Sequence, residues 1–81
     1  MREFRDEHGK SWEALAVDEI VAHGKKGARL AFRPTDEPAA APVLSTITFN
    51  SRAAADFALG SLGMKELRRR LSLALEEAGT V

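Results

Sequence analysis

The chain contains no cysteine, so neither a disulfide nor a thiolate metal site can hold it together. It has no tyrosine and a single tryptophan, which leaves little aromatic surface on which nucleic-acid bases could stack. Net charge is also missing: 12 lysines and arginines balance 12 aspartates and glutamates. A dedicated DNA-binding module draws its affinity from neutralising phosphates and is usually clearly basic, so this balance argues against one. No apolar run approaches the ~20 residues needed to cross a bilayer, and no membrane partner is expected. The opening, Met1-Arg2-Glu3-Phe4-Arg5-Asp6, is charged where a secretory signal would be apolar. A cytoplasmic protein is the expectation.

Catalytic motifs are sparse. There is no nucleophile elbow and no Gly-x-Gly-x-x-Gly. Gly9-Lys10-Ser11 matches only the end of a phosphate-binding loop, because the glycine required five positions earlier is Phe4. His8 and His23 are the only histidines. In a meander of hairpins they sit at opposite ends of one strand, roughly 30 Å apart at ~3.3 Å per residue, too far to share a metal or a proton. The adjacent acids Asp6-Glu7, Asp18-Glu19, Asp36-Glu37 and Glu76-Glu77 read as solvated pairs. No enzyme activity, catalytic residue, cofactor or metal is expected.

What remains is an ordinary globular composition, 44% hydrophobic and 30% charged, over 81 residues. That length makes one domain. A chain so short buries only about 60–65% of its unfolded surface, and pairing with a second copy is a common remedy.

The first half reads as strands. Phe4 leads into a turn at Asp6-Glu7-His8-Gly9-Lys10, where Gly9 can take positive φ and Asp6 can bond the turn backbone. A second turn follows at His23-Gly24-Lys25-Lys26-Gly27. Arg29-Leu30-Ala31-Phe32-Arg33 alternates, with Leu30 and Phe32 on one face and both arginines on the other. Ser11–Ala22 between the turns is ambiguous. Ser11 could cap a helix, but wrapped at 3.6 residues per turn its apolar residues spread round most of the circumference. As a strand, Leu15, Val17 and Val21 share one face, and Trp12, Ala14, Ala16 and Ile20 share the other. The strand is preferred, and it has two apolar faces. One can pack on the chain's own helices, and the other needs a cover.

Residues 34–42 form a Pro/Ala-rich loop. Val43–Phe49 is a further strand, with Val43, Ile47 and Phe49 inward and Thr46 and Thr48 outward. Ser51 caps a helix over Arg52–Leu59 that Gly60 ends, with Ala54, Phe57 and Ala58 as its apolar face. A second helix, Met64–Ala78, buries Met64, Leu67, Leu71, Ala74, Leu75 and Ala78 and stops at Gly79. Leu73 lies off that stripe. The expected fold is α+β, an antiparallel meander of three to four strands followed by two C-terminal helices packed on one face.

The last helix carries its charges against its dipole. Lys65, Arg68, Arg69 and Arg70 crowd the first half, and Glu76 and Glu77 close the end. Each mismatch near a terminus costs roughly 0.3–1 kcal/mol, and a partner surface would offset it. The function expected is therefore a small interaction module that self-associates, or meets another protein, through this helix and one sheet face. In an antiparallel helix pair Lys65, Arg68 and Arg69 face Glu76 and Glu77 of the other copy, with Leu73 near the two-fold axis. Trp12 joins this interface if it lies on the face away from the helices. The alternative is a nucleic-acid accessory protein using Lys25, Lys26, Arg29 and Arg33 on the second hairpin and Arg68, Arg69 and Arg70 on the last helix.

Overall fold

In a computed structural model, which describes residues 1–20 and 22–79, four strands precede two helices. The strands are β1 (Arg2–Arg5), β2 (Ser11–Ile20), β3 (Lys26–Pro34) and β4 (Val43–Phe49), and the helices are α1 (Arg52–Ser61) and α2 (Met64–Glu77). Every strand pair is antiparallel and the sheet order is β1-β2-β3-β4. This is the expected α+β meander with two C-terminal helices on the sheet. The ambiguous segment is strand up to Ile20. Val21, assigned above to the face of Leu15, lies outside the described residues, and Ala22–Gly24 form a single 3₁₀ turn. The connection to β3 uses left-handed backbone at His23 (φ 61°) and Gly24 (φ 71°).

Register decides which side chains are covered. Phe4 pairs with Trp12 and Trp12 with Pro34, while Ala14 pairs with Phe32 and Ala16 with Leu30. These residues point to the helices and are buried. Alanines on β2 face large residues on β3, so the inner layer alternates in height and α1 can seat Ala55 and Leu59 against it. Phe4 and Phe32 meet edge to face, with centroids 5.9 Å apart and planes at 72°. From α2, Leu67, Leu71 and Ala74 complete the core. Trp12 thus lies on the helix side, only 6% exposed, and the condition under which it would anchor an interface is not met.

β4 departs from simple pairing. Arg29 pairs with Thr48 but Ala31 pairs with Leu44, so two steps on β3 face four on β4. At this bulge the Ser45 hydroxyl donates to the Leu30 carbonyl (2.7 Å) and accepts from the Ile47 N–H (3.1 Å). A buried side chain thereby replaces the missing ladder bonds. Pro34 belongs to β3 rather than to the loop. It is the strand's last residue, where its absent N–H interrupts no ladder.

Ser51 caps α1 as expected, its Oγ accepting from the Ala54 N–H (3.1 Å). Three other readings of the helices are corrected. α1 runs through Gly60 to Ser61, because its last carbonyls find a distant donor. Arg2 donates from one terminal nitrogen to the carbonyls of Leu59 (3.0 Å) and Leu62 (2.8 Å), bringing positive charge to the negative end of the dipole. The buried face of α1 is Ala55 and Leu59, whereas Phe57 is 78% exposed. Ala54 is exposed too, so the covered stripe is rotated about one residue from the expected one. On α2, Met64 and Ala78 are exposed rather than buried. No helix among the described residues is long and apolar enough to cross a membrane.

The two phenylalanine environments give a direct check in urea unfolding. Phe32→Ala, at a fully buried site, should cost about 3–5 kcal/mol. Phe57→Ala should stay within about 0.5 kcal/mol of the parent.

Candidate interaction site

Two surfaces concentrate unsatisfied chemistry, one on each side of the sheet. The first is the face away from the helices. Along β2 it carries Glu13, Leu15, Val17 and Glu19, all half-buried. Across the register these meet Arg33, Ala31, Arg29 and Gly27 on β3. Leu44 of β4 continues the row of Leu15 and Ala31 and is 53% exposed. The centre of the face is thus apolar, and ion pairs bracket it along the strands. Arg33 Nη2 lies 2.8 Å from Glu13, and Arg29 Nε lies 2.7 Å from Glu19. Arg29 also donates to the Ser45 carbonyl at the bulge (2.6 Å). The expected second apolar face exists on β2, and neither helix covers it.

The second surface is a cleft of about 510 Å³ between the β1–β2 turn and α2. Asp6 builds the turn. Its Oδ1 accepts from the backbone N–H groups of His8 and Lys10, both at 2.9 Å, and its Oδ2 accepts from the Trp12 indole N–H at 3.0 Å. Gly9 takes φ 82°, closing the turn as the sequence predicted. Partial burial pushes the Asp6 carboxyl upward, but the bonds from Trp12, Lys10 and His8, with the charge of His8, outweigh it and hold the group below its ordinary value. Lys10 lies over the Trp12 ring, 5.2 Å from its centre. On the helix side the lining includes Lys65, Arg68, Ser72 and Glu76 above Leu71 and Leu75.

The reversed charge of α2 is largely answered within the chain. Arg69 (3.3 Å) and Arg70 (3.2 Å) both pair with Glu66. Arg68 Nε donates to the Arg5 carbonyl on edge strand β1 (2.8 Å). Leu73 is 41% exposed, and Lys65, Glu76 and Glu77 are exposed as well. Among the residues of the two expected basic clusters, Arg29, Arg33, Arg69 and Arg70 are in ion pairs, while Lys25 and Lys26 lie exposed at the β2–β3 connection. The clusters lie on different elements, β3 with its preceding turn and α2. His8 and His23 stand beyond opposite ends of β2, both exposed. Among the described residues no three His, Cys, Asp or Glu side chains converge to hold a metal.

Sequence reasoning missed Leu44, His8 and Ser72 as surface-lining residues. Leu44 was within reach, because the inward assignment of Val43 turns its neighbour outward. Ser72 and His8 carry no local signal, since the cleft exists only once the turn and α2 are brought together. Comparison with models of known protein families, with curated proteins and with solved structures finds no match. The fold and its surfaces therefore define the class alone: a small α+β domain with one open sheet face.

The Asp6 turn predicts a pH signature. A carboxyl whose folded pKa is depressed contributes stability above its ordinary value near 3.8 and loses it as the pH falls through the folded value. Urea unfolding of Asp6→Asn should lack that acid-side loss. Asp6→Ala, which strands the Trp12 N–H as well, should cost about 1–3 kcal/mol at neutral pH.

Proposed function

We propose that this chain is a small non-enzymatic interaction module that pairs with a second copy of itself through the open face of its sheet. The observation that carries this reading is the exposed Leu44 with half-buried Leu15 and Val17, set round the buried Ala31 on the face away from the helices. A specific pair buries at least about 1,000 Å² in total. That is about a tenth of each copy's 5250 Å² surface, within what one face of a two-layer domain this small can give.

Charge order favours a second copy over an unrelated protein. Consider a two-fold axis parallel to the strands and between β2 and β3. It lays β2 of one copy over β3 of the other without changing which cross-strand row faces which. Glu13 of each copy then faces Arg33 of the other, and Leu15 faces Ala31. Opposite signs are stacked, so the intrachain Glu13–Arg33 pairs of the two copies lie head to tail with no like charges opposed. An axis across the strands, centred on Leu15, brings Arg33 near Arg29 of the second copy instead. Sheets stacked this way lie about 10 Å apart with their strands within about 30° of parallel. Each charge pair at the rim adds under ~1 kcal/mol, so the pairs set orientation while the apolar centre supplies affinity.

The alternative self-association, an antiparallel α2 pair through Lys65, Arg68, Arg69, Leu73, Glu76 and Glu77, has less to draw on. Arg69 already pairs with Glu66 in its own chain, and Arg68 is tied through its Nε to the Arg5 carbonyl. Nucleic-acid binding would demand a steep fall of log affinity with log salt, and the pairing of Arg29 and Arg33 with glutamates removes charge it would need.

Sedimentation equilibrium tests the proposal. The parent chain should be dimeric at high concentration. Leu44→Lys should shift it to monomer, with stability changed by about 0.5 kcal/mol or less because the site is exposed. Glu13→Arg and Arg33→Glu should each pair poorly alone but associate when mixed, since the arginine introduced in one chain then meets the glutamate introduced in the other. A parent that stays monomeric at millimolar concentration, or a mixture no stronger than its components, overturns this geometry.

A further inference from the structure

We propose that the cleft between the β1–β2 turn and α2 binds the carboxyl end of a short apolar peptide. The cleft lies on the helix side of the sheet, so the inference does not rest on the self-association above. Its volume of about 510 Å³ is within the usual range for ligand sites, roughly 300–1,000 Å³.

The lining is ordered along the helix. Lys65, Arg68 and Ser72 recur at i, i+3 and i+7, which aligns them on one side of α2. Arg68 is oriented by its own chain: its Nε–H is spent on the Arg5 carbonyl, which fixes the guanidinium while its two terminal nitrogens have no partner among the described residues. That is the fork a carboxylate accepts in two bonds. Lys65, one turn earlier, also has no ion pair among the described residues and adds a second positive charge. Arg69 also lines the cleft, with part of its charge met by Glu66. Leu71 and Leu75 form an apolar floor, and Glu76 closes the far end. On the opposite wall Asp6 keeps its negative charge, with its oxygens turned to three donors of its own turn. Glu7 beside it can accept from peptide N–H groups.

This polarity selects the ligand class. Inorganic phosphate would satisfy the basic end and leave Leu71 and Leu75 wet. A fatty acid would cover the floor but set its tail against Glu76. A peptide with free termini meets all three regions, with carboxylate at Arg68 and Lys65, apolar side chains on the leucines and ammonium toward Glu76. Arg68 and Glu76 are separated by about 12 Å along the helix at ~1.5 Å per residue. An extended peptide covers that in about three to four residues at ~3.3–3.6 Å each.

The test is calorimetric titration of the full chain with Ala-Leu-Ala-Leu, its C-terminal amide, its N-acetyl form and octanoate. The free peptide should bind best. Amidation or Arg68→Gln should weaken it about tenfold or more, the effect of losing a charge-assisted pair of hydrogen bonds. Glu76→Gln should weaken the free peptide to the level of the acetylated one and leave the latter unchanged. Because Arg68 also ties down β1, Ser72→Leu serves as the second variant. It fills the cleft from an exposed helix position and should abolish binding while the far-ultraviolet circular dichroism stays as in the parent. Equal affinity for the amide, octanoate binding as tight as the peptide, full binding by Ser72→Leu, or no heat with any probe at millimolar concentration would each overturn the assignment.

Discussion

The joint between the two helices is the constraint on which the architecture turns. Only Leu62 and Gly63 separate α1 from α2, and a link that short cannot carry the chain round the edge of a four-stranded sheet. Both helices must lie on one side. The meander before them pairs each strand with the next in sequence, and among the described residues no helix lies on the other side. Burial on the helix side is thorough, with Leu30, Phe32 and Leu67 all inaccessible, and the partial exposure of Leu15, Val17 and Leu44 on the opposite side follows from the same connectivity. The open face is a consequence of chain order rather than of weak packing.

Long-range polar contacts then lock the layers. Arg2 ties β1 to the end of α1, Arg68 ties α2 to β1, and Arg52 ties the start of α1 to Asp18 on β2 (2.8 Å). The last is well exposed and worth little by itself. The first two satisfy backbone carbonyls at places where ladder or helix bonds are missing, which matters more. The edges are managed by the same means. β1 is four residues long with a carbonyl taken by Arg68, and β4 is kinked by the Ser45 bulge. Neither presents the long flat edge that invites strand addition.

Much of this was legible residue by residue. Strict alternation gave the faces of β3, turn chemistry gave Asp6 and Gly9, and local capping gave Ser51 and Gly79. These are all signals carried within about five residues. The rotation of α1 was not legible, because Ala54, Ala55, Phe57 and Ala58 permit two stripes, and only contact with β2 and β3 chooses Ala55 and Leu59. The charge order of α2 was visible, but its resolution was not. Arg68 acts on a carbonyl 63 positions away, and no window of sequence contains both. The side of Trp12 was open for a similar reason, since alternation along β2 defines two faces without saying which one the helices take. The cleft, made by a turn and a helix far apart in the chain, left no trace in the sequence that could be read in advance.

The Arg2 contact also bears on the order in which the molecule assembles. Its acceptors lie 57 and 60 residues downstream, so a nascent chain leaving the ribosome carries this guanidinium with nothing to hold until α1 has been made. The first strand of the meander is thus among the last to be secured. Contacts of such sequence separation slow folding, and until they close, β1 is held by its hairpin with β2 and by the Phe4–Phe32 contact.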